Sequence, residues 1–273
     1  MLKRKGFTLI ELLVVIAIIA LLLSIIMPSL GKAKAYAEEI VCKSGLRQYG
    51  LATEMYTNEN DGYAPGSHES LYAAKNLPGE TNPFCRWHLP AYNLEVHPEY
   101  AGPFWSYLAV TEAHLCPTFV KLAPKYGESH FPGQCVGGPF IPNFAFSMNN
   151  VFSVDENNYE RPVRMTKIKS PSQTFLWSEE NMWLLTCPEY TVRGDNRLSS
   201  AVLNDTNLRV RINEPTAGDC FGSYHRISKG KLSVQRETNV YEPGEGYSNV
   251  LLVDGSMTWL TPLDKDAYKG KVQ

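Results

Sequence analysis

Few residues in this sequence are placed where chemistry is expected, and Glu11 is the sharpest of them. It is the only acid in an apolar run over residues 7–27 that is otherwise interrupted only by Thr8 and Ser24. A carboxylate inside a bilayer costs a few kcal/mol, so a residue of this type in such a run points to a function. The remaining reactive residues are scattered. His68, His88, His97, His114, His130 and His225 fall in segments read as loops, and Cys42, Cys85, Cys116, Cys135, Cys187 and Cys220 form no CxxC pair. His114 and Cys116 are close enough to suggest a metal pair, but two donors at that spacing do not define a site. Glu179 and Glu180 are adjacent, and neighbours on a strand point to opposite faces, which argues against a shared acid–base centre. Asn58-Glu59-Asn60-Asp61-Gly62 invites a calcium reading, yet the ligand spacing of an EF-hand is incomplete and a solvated turn is favoured. The sequence contains no HExxH, GxSxG, P-loop or dinucleotide fingerprint. The expectation is a protein that is not an enzyme and needs no cofactor, with calcium kept only as a minor alternative.

The elements that must position Glu11 begin at the N-terminus. Met1 to Gly6 is a short basic leader containing Lys3, Arg4 and Lys5. As a helix, residues 7–27 would span about 31 Å, the thickness of a bilayer's hydrocarbon core. The basic cluster predicts a cytoplasmic N-terminus and export of the remainder. A secretory signal cut after Ala35 would have a shorter apolar region, and neither a signal nor a plain anchor requires an acid at position 11. The formal net charge of −2 gives no support to nucleic-acid binding. An even cysteine count fits disulfides outside the cytoplasm, with 15 full pairings open, and buried free thiols are the alternative.

The run Lys5-Gly6-Phe7-Thr8-Leu9-Ile10-Glu11-Leu12-Leu13-Val14-Val15 resembles the cleavage and methylation site of type IV prepilins and type II secretion pseudopilins. The resemblance implies cleavage between Gly6 and Phe7 by a prepilin peptidase that also N-methylates Phe7. It implies that Glu11 acts in subunit assembly. An amine on Phe7 of one subunit facing Glu11 of the next would neutralise two buried charges and set a filament's axial register.

Pro28 predicts a kink at the end of the apolar run. Beyond it, residues 32–56 read as continued helix, with Cys42, Leu46, Tyr49 and Tyr56 on one face. Residues 63–143 read as loop-dominated and ordered by aromatics such as Phe84, Trp87, Tyr92, Phe104, Trp105 and Tyr107. Cys116-Pro117 suggests a turn pinned by a disulfide. Residues 173–178 and 208–212 read as strands. Residues 247–260 read as a hairpin around a two-residue Asp254-Gly255 turn. The predicted fold is α+β: a long N-terminal helix, half membrane and half amphipathic, packed on an antiparallel β-sheet head with long loops. Its divisions are a leader (1–6), a membrane segment (7–30), an amphipathic continuation (31–57) and a head (58–273).

A second resemblance covers most of the chain. Cys42 before Leu46-Arg47-Gln48, Cys116-Pro117, Phe146-Ser147-Met148-Asn149, the segment 171–179 and Asn249-Val250-Leu251-Leu252-Val253-Asp254-Gly255 look like the large-head prepilin-like proteins with a C-terminal H-X9-DG motif. Here His225, Asp254 and Gly255 occupy the motif, but 28 residues lie between His225 and Asp254, so an insertion is read into the connection. Together the resemblances imply a pilin-like or pseudopilin subunit. It would sit single-pass in the inner membrane, with its head in the periplasm or outside, and enter a pilus or secretion pseudopilus. The implied partners are the prepilin peptidase/methyltransferase, other pilin subunits, an inner-membrane assembly platform and membrane lipid. A membrane-anchored binding protein, recognising glycans through loop aromatics and using the leader only for export, is the alternative.

Overall fold

The computed structural model describes residues 7–67, 70–72, 87–126, 140–152, 163–180, 207–208, 221–222, 224–225, 234–235, 240–241 and 246–261. The leader, Phe84, His68, His130 and four of the six cysteines (Cys85, Cys135, Cys187, Cys220) lie outside these residues, as do positions 209–212 of the strand expected at 208–212.

Helix α1 spans Leu9–Glu59 and is unbroken through Pro28. At 51 residues it is about 76 Å long. Thr8 caps its N-terminus, with backbone φ −86° and ψ 152° outside the helix. At the other end Asn60 is the C-cap, Asp61 takes a positive φ of 53°, and the Gly62 N–H donates to the Thr57 carbonyl at 2.8 Å. The acid-rich segment therefore serves a helix stop. The Asn60 amide donates to the Tyr56 carbonyl, and Glu59 accepts the Tyr107 hydroxyl.

The two halves of α1 meet different surroundings. Every residue from 7 to 37 is exposed, and the first buried side chain is Glu39. From there Cys42, Leu46 and Tyr49 are fully buried, and Ala52, Thr53 and Thr57 continue the face. Tyr56 is only half-buried, resting edge-on against Tyr107.

The head contains a five-stranded sheet. Its strands are β1 (Phe146–Asn149), β2 (Phe175–Glu179), β3 (Asn207–Leu208), β6 (Ser248–Leu252) and β7 (Met257–Leu260), in the order β3-β1-β2-β6-β7. The four longer strands pair antiparallel; the two-residue β3 pairs parallel to β1. Strands β4 (Val234–Gln235) and β5 (Val240–Tyr241) form a separate antiparallel pair. Short 3-10 turns and helix α2 (Pro117–Tyr126) make up the described part of the region expected to be loop-dominated.

Helix and sheet meet around Tyr49. Its ring contacts Trp177, Phe146, Phe104 and His114 at centroid distances of 4.7, 5.2, 5.5 and 5.4 Å. The Trp177 indole N–H donates to the Thr53 hydroxyl at 2.9 Å, tying β2 to α1. The contact is close because Gly50 has no side chain: a Cβ there would stand 3.0 Å from Leu251 Cδ2. Burial of large aromatics at this seam contributes hydrophobic stabilisation to the described core.

The hairpin of β6 and β7 forms as the sequence predicts, but its turn is longer than the expected two residues. The Leu252 N–H donates to Ser256 O and the Gly255 N–H to Leu252 O, so three residues separate the closing pair. Gly255 alone has positive φ, at +81°. A tight turn ending in a left-handed residue is one of the common hairpin closures, and glycine adopts that conformation without steric cost.

Candidate functional site

Two places hold the functional side chains. The first is the start of α1. Thr8 and Glu11 form a capping box: the Glu11 N–H donates to Thr8 Oγ1 at 3.3 Å, while Glu11 Oε2 accepts the Thr8 N–H at 2.8 Å and its hydroxyl at 2.7 Å. This arrangement satisfies donors that a helix end otherwise leaves open. Both returning bonds converge on Oε2, which leaves Oε1 outside the cap on an exposed residue. Sequence reasoning identified the acid but missed the cap, although Thr-x-x-Glu before an apolar run is its signature. Phe7 is exposed beside it. Gly6 is outside the described residues. The helix that follows is long and apolar enough to cross a membrane by length and composition.

The second place is a buried cluster where α1 first enters the head. Cys42 of α1, Cys116 immediately before α2, Glu179 at the end of β2 and His225 bring Sγ, Sγ, a carboxylate oxygen and a ring nitrogen within 4.8 Å of one another. His225 is held by a two-way backbone bridge to Tyr247, just before β6, at 3.0 and 3.2 Å. Its Nε2 is 3.0 Å from Glu179 Oε1 and 3.7 Å from Cys116 Sγ. The Cys42 thiol donates to Glu179 Oε1 at 3.1 Å. Asn249 completes the surround: its backbone N–H donates to Glu179 Oε2 at 3.1 Å and its side-chain amide approaches Cys42 Sγ at 3.6 Å.

Charge in this cluster is strongly coupled. Burial pushes the Glu179 carboxyl up, but the His225 cation and the hydrogen bonds from His225 and the cysteines leave it below its ordinary value. Burial pushes the His225 imidazole down, yet the Glu179 charge and the bonds with Cys116 and Glu179 raise it to about 11. The Cys42 thiol lies well above its usual range, through burial first and then the neighbouring Cys116 and Glu179. Without a further ligand the resting state is a Glu179–His225 ion pair beside a neutral Cys42 thiol.

Several sequence expectations change here. Cys116 pins no turn through a disulfide; it and Cys42 are buried free thiols. Its partner is His225, 109 residues away, rather than neighbouring His114. His114 instead bonds the Tyr49 hydroxyl through Nδ1 and the Leu108 carbonyl through Nε2. Glu180 points away from Glu179, as strand alternation requires, and accepts the Ser147 hydroxyl at 2.6 Å. Asp254 does not join His225. It lies at the far end of β6, about 20 Å along the strand from Tyr247. There its Oδ1 accepts the Ser256 N–H and hydroxyl at 2.9 and 2.6 Å, which holds its carboxyl below the ordinary range. Trp87, Tyr92 and Phe104, the aromatics expected to order the loop-rich region, are fully buried core residues. Asn249, which no motif marked as functional, touches two members of the cluster.

A long, exposed, apolar helix leads into an α+β head. Residues 1–27 match the prokaryotic N-terminal methylation motif family. The type IV wide pilus major component PilA4 of Thermus thermophilus is 44% identical over 61 residues, 22% of this chain and 47% of that protein. The type II secretion system core protein G of Escherichia coli is 36% identical over 83 residues, 28% of this chain and 54% of that protein. Its Pseudomonas aeruginosa counterpart is 27% identical over 107 residues, 39% of this chain and 75% of that protein. The chain spans about half the length of the first two of these relatives. No solved structure matches it. Residues 1–27 thus carry the prokaryotic N-terminal methylation motif, and the relatives named here, similar to part of this chain, are pilus and secretion-system components.

Proposed function

We propose that the chain is a pilin-like subunit, cleaved between Gly6 and Phe7, N-methylated on Phe7 and assembled with other subunits through the exposed half of α1. The observation that carries this reading is the surface of residues 7–30: a continuous apolar helix, wholly exposed, bearing one acid at Glu11. Such a surface needs a bilayer or the packed helices of other subunits around it. The basic leader favours insertion with a cytoplasmic N-terminus and the head outside. Glu11 Oε2 is occupied by its own Thr8, so Oε1 is the atom available to a neighbour's Phe7 ammonium.

Mass spectrometry of the exported protein tests the processing step; a mature N-terminus at methylated Phe7 is expected, and one at Tyr36 refutes it. Glu11→Gln keeps an acceptor for the Thr8 cap but removes the charge, so it should be cleaved normally and fail to assemble. Filament incorporation at the wild-type level would overturn the charge pairing.

A further inference from the structure

We propose that Cys42, Cys116, Glu179 and His225 form a structural zinc site that fastens α1 to the head. The four donors come from four separate segments and converge on one point, all buried: Cys42, Cys116 and Glu179 at 0% exposure and His225 at 3%. A tetrahedral zinc with bonds of about 2.3 Å to sulfur and about 2.0–2.2 Å to nitrogen and oxygen holds its donors about 3.3–3.8 Å apart. The observed separations of 3.0 Å (His225–Glu179), 3.1 Å (Cys42–Glu179) and 3.7 Å (Cys116–His225), with every pair inside 4.8 Å, need only sub-ångström to ångström adjustments.

The surroundings suit an ion. Asn249 N–H holds Glu179 Oε2, which leaves Oε1 as a single carboxylate donor aimed inward. The Asn249 side-chain amide is directed at Cys42 Sγ, the contact expected to stabilise a thiolate. Cys116 directly precedes α2, and its carbonyl accepts the Val120 N–H at 3.0 Å, which ties its backbone to the first turn of that helix. Two thiolates and one carboxylate exceed the charge of Zn²⁺ by one, and the Asn249 N–H donors to Glu179 and Cys42 offset part of the surplus. A mixed thiolate, imidazole and carboxylate set in four-coordinate geometry is characteristic of zinc rather than of calcium or magnesium. A Cys42–Cys116 disulfide is the competing chemistry. It uses only two of the four convergent groups and gives no role to the approach of Asn249 toward sulfur.

The test uses the full-length chain purified in detergent with reductant present throughout. Elemental analysis should find one zinc per chain, and replacement by Co²⁺ should give a thiolate-to-cobalt charge-transfer band. His225→Ala and Cys42→Ser should each abolish both signals, while Asp254→Ala leaves them intact. Asn249→Ala keeps all four donors and should weaken zinc binding by about 10–100-fold, a readout that does not depend on a severe variant folding. Peptide mapping after alkylation should find Cys42 and Cys116 protected until a chelator is added. Any of three results overturns the proposal: no retained zinc with freely alkylated thiols, a Cys42–Cys116 disulfide in protein isolated without reductant, or zinc whose binding is indifferent to both His225→Ala and Asn249→Ala. None of these measurements depends on filament assembly, so failure here leaves the subunit reading untouched.

Discussion

His114 should make the head lose stability as pH falls from neutral toward 4. Its ring is fully buried, stacked on Trp105 at 5.0 Å. Nε2–H donates to the Leu108 carbonyl at 2.7 Å, and Nδ1 accepts the Tyr49 hydroxyl. These partners fix the neutral ring, and a second ring proton would face a buried hydroxyl. Burial is the dominant cause that lowers the His114 pKa to about 4 from 6.5, opposed only in part by the Leu108 bond and the Glu95 charge. The folded value lies below the unfolded one, so the unfolded chain binds the extra proton. The stabilisation is therefore complete above pH 6.5 and is lost as pH falls through 6.5 toward 4. A displacement of this size corresponds to about 3 kcal/mol over that window. The comparison is with His114→Gln, which cannot titrate but can still donate and accept. Urea unfolding of the two detergent-solubilised proteins, followed by tryptophan fluorescence at pH 7 and pH 4, should show the wild-type advantage shrinking by about 3 kcal/mol. Other titrating groups are common to both proteins and cancel in the difference. An advantage that is the same at both pH values, or an NMR titration of His114 centred near 6.5, would refute the reasoning.

Leu46→Ala removes a fully buried side chain at the helix–sheet seam and should cost about 2–5 kcal/mol in urea unfolding; a loss below 1 kcal/mol would mean the seam can collapse around the gap. Trp177→Phe removes the indole donor to the Thr53 hydroxyl, which keeps its own bond to the Tyr49 carbonyl, and trims the ring beside Tyr49; a loss of about 1–3 kcal/mol is expected, smaller when measured in a Thr53→Val background, and an equal loss in both backgrounds would mean the indole bond contributes nothing. Gly50→Val drives a branched side chain into Leu251 and should destabilise by about 1–3 kcal/mol, measured by the shift in urea midpoint. Asp254→Ala removes only exposed turn bonds to Ser256, so N-terminal processing should be unchanged; accumulation of uncleaved precursor would return Asp254 to a processing role.

What could be seen in the sequence was what depends on local spacing. The span of α1, its buried face at Cys42, Leu46 and Tyr49, the strand at β2 and the hairpin of β6 and β7 all follow from periodicity and turn chemistry. The methylation motif is likewise contiguous. The buried cluster was hidden because its members lie up to 183 residues apart between Cys42 and His225, and no local pattern links a helix cysteine to a late histidine. The motif pairing of His225 with Asp254 drew attention to the right histidine but the wrong acid: His225 sits at the near end of β6 beside Glu179, and Asp254 closes the far end. The turn length at Gly255 also escaped prediction, because Asp-Gly suits both two-residue and three-residue closures.

The wide separation of the cluster's members also imposes an order in time. In the proposed topology Cys42 would enter the exported space soon after the membrane segment, whereas His225 and Asn249 would arrive only when most of the chain had followed. During that interval Cys42 and Cys116 have neither their nitrogen partner nor their amide cover, while Cys85, Cys135, Cys187 and Cys220 pass the same place in turn. A long loop closes slowly compared with contacts between near neighbours. On that topology the most hazardous stage would be delivery, when an oxidising compartment could join the wrong sulfurs before His225 and Asn249 arrive to engage Cys116 and Cys42.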